Sequence, residues 1–160
     1  MEPIEEIKKN PHYVVLVARL PTQEDHDRDS LMQSAKNVHS RFPILSTARV
    51  VTVDSKPEKL TVEILKEAWG LSDGKGKISY NELFSSMSFR DHQKAFIANV
   101  QSYLEWLNGA ETPLVIIGST FALSAILDIL RIEKKNISLT MNSWIVTIDT
   151  SENNSLIDVA

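Results

Sequence analysis

Apolar runs separated by polar, turn-forming stretches punctuate the chain, and their period changes from run to run. The first, His12-Tyr13-Val14-Val15-Leu16-Val17-Ala18, is continuous rather than alternating, which is how a strand covered on both faces reads. A polar stretch from Pro21 to Asp29 follows. Ser30-Leu31-Met32-Gln33 then has capping-box spacing, and Leu31, Ala35, Val38 and Phe42 recur on one helical face until Pro43. Ala48-Arg49-Val50-Val51-Thr52-Val53 predicts a second strand. Ser55-Lys56-Pro57-Glu58 opens a second helix, with Leu60, Ile64, Leu65 and Ala68 toward the core and Gly70 as its stop. A turn-rich loop runs from Leu71 to Lys77.

The longest predicted helix runs from Ser88 to Asn108, with Phe96, Ile97, Val100, Tyr103, Leu104 and Leu107 as its apolar stripe and Gly109 closing it. Leu114-Val115-Ile116-Ile117 is a third buried-type strand, and Gly118-Ser119-Thr120 carries it into a helix from Phe121 to Leu130. Two short β-runs, Ile137 to Thr140 and Ser143 to Ile148, complete the pattern. Strands alternating with helices predict a three-layer α/β/α domain with a mainly parallel sheet and helices on both faces. The expected domain spans residues 11–150, with 1–10 and 151–160 as flexible tails.

Composition narrows the chemistry. With 160 residues the chain suits one domain and buries enough surface to need no disulfide or metal staple. Seventeen basic against 21 acidic residues, a net charge of −4, argues against a nucleic-acid partner, which would demand a basic stripe. The absence of cysteine excludes a disulfide framework, a zinc-thiolate site and a cysteine nucleophile, and it fits a reducing compartment. No apolar run is long enough to span a membrane, and Met1-Glu2-Pro3-Ile4-Glu5-Glu6 has no signal-peptide character, so a cytoplasmic protein is expected.

Two patterns suggest ligands only superficially. Asp73, Gly76, Ile78 and Glu82 match calcium-loop positions, yet Leu71 and Lys75 fall where oxygen ligands are needed. The histidines, His12, His26, His39 and His92, show no metal spacing, so no metal and no cofactor is implied.

The informative feature is positional. In parallel α/β sheets, ligands bind beyond the carboxyl ends of the strands. Arg19-Leu20-Pro21-Thr22, Asp54-Ser55-Lys56 and Gly118-Ser119-Thr120 all emerge there. The last opens a helix, where backbone N–H groups and the helix dipole favour an anion. Arg19 and Lys56 add a guanidinium and a point charge. The candidate anion-binding set is therefore Arg19, Thr22, Lys56, Gly118, Ser119 and Thr120. The plainer alternative is that Ser119 or Thr120 caps its helix and Arg19 pairs with an acidic loop residue.

The order of these pieces resembles the histidine phosphatase superfamily, with its phosphoglycerate-mutase-like fold, from about Val14 to Asp149. Leu16-Val17-Ala18-Arg19-Leu20-Pro21-Thr22 looks like the family's first strand and Arg-His-Gly signature. Leu60-Thr61-Val62-Glu63 is similar to its Gln-Thr-Ala-Glu helix, and Leu114 to Ser119 to the strand ending in a second catalytic histidine. Asn136 to Ile148 resembles the family's last strand pair and intervening Asn turn. The length resembles the short bacterial phosphohistidine phosphatases.

The resemblance implies a phosphorylated imidazole nucleophile, two arginines, a second histidine and a general acid. Ala18 stands at the first arginine, Arg19 at the nucleophile, and Leu20 at the glycine. Pro57 stands near the second arginine, with Lys56 and Lys59 as basic neighbours, and Gly118 at the second histidine; Glu82 is the remnant of the acid. A guanidinium stays protonated and cannot replace an imidazole as nucleophile. A catalytically inactive binding module is therefore expected, taking a protein partner or a phosphorylated small ligand. The alternative is a phosphatase or hydrolase with a non-standard site, using Ser55 or Ser119 beside Asp54 or Glu82.

Overall fold

The structure, a computed structural model, describes residues 12–22, 24–71, 77–82, 90–135, 137, 144–151 and 153–160. The described elements, in chain order, are β1 (Tyr13–Ala18), α1 (Asp25–Arg41), a 3-10 turn (Pro43–Thr47), β2 (Arg49–Thr52) and α2 (Lys56–Trp69). They continue with β3 (Ile78–Tyr80), α3 (Gln93–Asn108), β4 (Leu114–Gly118), α4 (Thr120–Ile129), β5 (Ile145–Asp149) and β6 (Ser155–Val159).

The strands form one six-stranded sheet ordered β3-β2-β4-β1-β5-β6. β1, β2, β3 and β4 pair in parallel, whereas β5 runs antiparallel to both β1 and β6. Register follows the alternation of side chains. Val14, Leu16 and Ala18 face one core with Phe96, Val100 and Leu107 of α3 and Leu123, Ile126 and Leu127 of α4. Val15 and Val17 face the other with Leu31, Ala35 and Val38 of α1 and Val62, Leu65 and Trp69 of α2. β1 lies between the two cores, which is why its sequence is apolar at every step. The expected three-layer α/β/α architecture is what the chain adopts.

Two boundaries differ from the sequence pattern. Residues 151–160 are not a free tail: Ser155–Val159 pairs with β5, and Asp158 accepts a salt bridge from Arg41 at 2.8 Å. Backbone pairing and that ion pair order a strand in which Leu156 alone packs against the core. The first helix starts at Asp25 rather than Ser30, because Asp25 and Asp27 in its first turn complement the positive end of the helix dipole. Thr22 organises that entry, accepting the Glu24 amide at 3.1 Å and donating to Asp27. The third helix is described from Gln93; its expected start at Ser88 lies outside the described residues, as do residues 138–140 of the strand expected from Ile137 to Thr140, tail residues 1–10 and most of the calcium-like loop.

Tyr13 gives the sheet a titration signature. Burial first, and the Asp149 carboxylate second, raise its phenol above the ordinary value. The unfolded phenol ionises near about pH 10. A folded value above that stabilises the native state fully below about pH 10 and loses the contribution as pH rises through the folded value. Tyr13→Phe, which keeps the edge-on contact with Phe42 at a 5.4 Å ring separation, is expected to flatten the alkaline limb of a stability-versus-pH curve. Coincident wild-type and Tyr13→Phe curves above pH 10 would contradict this.

Candidate functional site at the parallel strand ends

β1, β2 and β4 end side by side, and short-range bonds join the segments that leave them. The Arg19 amide donates to the Gly118 carbonyl at 2.9 Å, and the Ala18 amide to the Trp144 carbonyl at 2.9 Å. Thr52 at the end of β2 donates its hydroxyl to Ile117 O of β4 at 2.9 Å. The Leu20 amide, buried just past β1, donates to Thr61 Oγ1 at 3.0 Å; that hydroxyl in turn donates to Pro57 O at 2.8 Å. Thr61 thereby fixes the post-β1 segment to the first turns of α2. Thr61→Val removes the side-chain acceptor of a buried amide and is expected to cost about 1–2 kcal/mol. Urea denaturation measures it, and an unchanged midpoint would show that the bond contributes nothing.

The central contact is between Arg19 and Glu58. Arg19 Nη1 lies 3.3 Å from both carboxylate oxygens of Glu58, a residue 39 positions away on α2. Glu58 is only 3% exposed, against 41% for the Arg19 side chain. The Ser55 hydroxyl also donates to Glu58. Ser55 is the N-cap residue of α2, yet its side chain caps no helix amide. A carboxylate removed this far from water is stable only with such donors around it.

The six candidate anion ligands meet different fates. Arg19, Gly118 and Ser119 come together at the β1–β4 junction. Ser119 caps α4, accepting the Ala122 amide at 3.2 Å, and Thr120 is the first helical residue. Thr22 turns away to α1. Lys56 is exposed on the first turn of α2, with no ion pair among the described residues. Arg19 is paired with a carboxylate as the plainer alternative holds, but a buried helical one rather than a loop residue. The sequence pattern places Glu58 at a helix start and assigns it no role; the Ser55-x-x-Glu58 spacing is the signal that points to it.

Beside this junction a cleft of about 430 Å³ is lined by Asp54, Ser55, Lys56, Lys59, Leu60, Glu63 and Tyr80. Lys59 pairs with Asp54 at 2.7 Å, and its ammonium lies 5.9 Å from the Tyr80 ring centroid. The hydrogen bond to Asp54, and then the charge of that carboxylate, raise the Lys59 pKa, so the lysine remains charged. Glu82, just past β3, is exposed.

No residue brought together at these strand ends is a histidine. His12 precedes β1 at the opposite end of the sheet, and His26 is exposed in the first turn of α1. His39 shares a 2.7 Å hydrogen bond with Ser46, and His92 is the N-cap residue of α3. Among the described residues no three His, Asp or Glu side chains are grouped to hold a metal ion. No described helix is long and apolar enough to cross a membrane.

The fold is phosphoglycerate-mutase-like, as superposition on solved structures shows. Solved structures of that class superpose on nearly the whole chain. One, assigned as the phosphohistidine phosphatase SixA of Agrobacterium tumefaciens, is 16% identical with a TM-score of 0.60, over 94% of this chain and 98% of that one. A mycobacterial glucosyl-3-phosphoglycerate phosphatase is 11% identical with a TM-score of 0.60, over 92% and 96%. Phosphoglycerate mutase from Bacillus anthracis is 9% identical with a TM-score of 0.58, over 96% and 94%. No protein-family profile and no curated protein matches the sequence.

Proposed function

We propose that this chain is a catalytically inactive protein of histidine-phosphatase-like fold that acts as a binding module, for a protein partner or a phosphorylated ligand, through the strand-end crevice. One observation carries the reading: the guanidinium at the end of β1 is held by a buried carboxylate, and no histidine is among its hydrogen-bond or ion-pair partners in the described residues. Phosphoryl transfer through an enzyme intermediate needs a nucleophile with a free electron pair near neutral pH, and Arg19 has none. Fold alone does not supply an activity. The candidate ligand groups are Arg19, the Gly118-Ser119-Thr120 turn and Lys56; the Thr22 hydroxyl is engaged by Glu24 and Asp27 at α1.

Purified protein incubated with p-nitrophenyl phosphate, acetyl phosphate and a phosphohistidine peptide is expected to release no phosphate above the protein-free rate. Turnover that disappears in Arg19→Ala would overturn this reading.

A second reading, a hydrolase with a non-standard site, draws on the Ser55–Glu58 contact, because a hydroxyl bonded to a carboxylate is a nucleophile–base pair in outline. Both oxygens of that carboxylate also face the Arg19 guanidinium, so they are already engaged by a second donor. Turnover lost in Ser55→Ala would favour that reading over the first.

A further inference from the structure

We infer that the Glu58 carboxylate is an internal occupant of the strand-end anion site, holding the Arg19 guanidinium and closing the site to free oxyanions until its charge is removed or displaced. The inference rests on the reading of this crevice as a binding site and specifies how that site is regulated.

The pair is asymmetric. Glu58 is 3% exposed and accepts hydrogen bonds from Arg19 and Ser55, donors that stand in for the water its carboxylate lacks. Arg19 is 41% exposed and can be solvated without its partner. The contact is also geometrically partial: one guanidinium nitrogen faces both carboxylate oxygens, at 3.3 Å each, instead of two parallel bonds. Arg19 therefore retains N–H donors suited to an oxyanion, while the adjacent negative charge opposes any anion that approaches them. A unit charge some 7 Å away, at an effective dielectric near 20, changes the affinity for a monoanion by about tenfold or more. The backbone side of the site is already in place. Arg19 N is bonded to Gly118 O, and the first turn of α4 begins two residues on from that glycine, so the backbone that carries Arg19 adjoins a helix amino terminus.

Inorganic phosphate titrated into wild type, Glu58→Gln and the double variant Arg19→Ala/Glu58→Gln tests this, read from the backbone amide shifts of position 19, Gly118 and Ser119. Glu58→Gln keeps an acceptor for Ser55 and for Arg19 but not the charge. The expected result is no saturable shift in wild type, saturable shifts in Glu58→Gln with at least tenfold tighter binding, and loss of those shifts in the double variant. Glu58→Met serves as a second neutral variant should Glu58→Gln fail to fold, and the same gain is expected there. Equal phosphate binding by wild type and a folded neutral variant would overturn the inference, as would no binding by either neutral variant. Phosphate-ester turnover by a neutral variant would instead contradict the non-catalytic reading and leave the closure of the wild-type site standing.

Discussion

Replacing Trp69 by alanine is expected to destabilise the domain by about 3–5 kcal/mol, the range for truncating a fully buried aromatic. The side chain is 1% exposed and packs in the core between the sheet, α1 and α2. Its indole Nε1 donates to Ala35 O of α1 at 2.8 Å, and its own carbonyl accepts the Ser46 hydroxyl at 2.6 Å. Trp69 thus joins the end of α2 to α1 and to the 3-10 turn. Truncation removes a large apolar volume that the helices cannot refill without moving, and it removes the Nε1–Ala35 bond as well. Trp69→Phe, which keeps most of the volume and loses only that bond, should cost far less. The consequence reaches the site, because α2 carries Ser55, Glu58 and Thr61 at or near its other end. Urea denaturation of the three proteins measures the difference; a loss below about 1 kcal/mol in Trp69→Ala would show that this packing is not what holds α2 in place.

Arg19→Ala is expected to cost roughly 2–3 kcal/mol, while Glu58→Gln costs much less. Breaking a buried ion pair from one side typically costs about 3–5 kcal/mol, because the remaining charge is left without compensation. The value is reduced here because water reaches Arg19. Removing the arginine strands a carboxylate at 3% exposure, whereas removing the carboxylate charge leaves an arginine that solvent can serve. The double variant Arg19→Ala/Glu58→Gln should therefore be more stable than Arg19→Ala alone, a non-additivity that a double-mutant cycle measures directly. Equal costs for the two single variants would mean that Glu58 is not the dependent member of the pair.

Much of the fold is legible in the sequence, for reasons visible in particular residues. Val14 to Val17 and Leu114 to Ile117 are apolar at every position because helices cover both faces of the sheet there, and that pattern cannot be mistaken for a surface strand. Gly118-Ser119-Thr120 reads as a strand-to-helix turn, and Ser119 is the cap residue that the turn requires. β6 is not legible. Ser155-Leu156-Ile157-Asp158-Val159 is short, with Ile157 and Val159 exposed, and its order comes from pairing with β5 and from Arg41, which lies 117 positions away from Asp158.

At the site, Arg19 is conspicuous as a cation placed directly after an apolar strand. Glu58 is not, since a glutamate in the first turn of a helix is ordinary on the surface. Its burial arises only when β1 and α2 come together, a fact of tertiary structure that local pattern does not carry. A count of basic residues does not show that Arg19 has an internal carboxylate partner; only the tertiary contact does.

The most direct test asks whether any side chain of this chain accepts a phosphoryl group. Purified protein is mixed with acetyl phosphate or a phosphohistidine peptide, quenched on the millisecond-to-second scale at neutral and at alkaline pH, and measured by intact and peptide mass spectrometry. Only unmodified protein is predicted at every time point. A phosphoryl adduct on a crevice side chain, or on His26 at the start of α1, formed and discharged at the rate of substrate consumption, would contradict the non-catalytic reading.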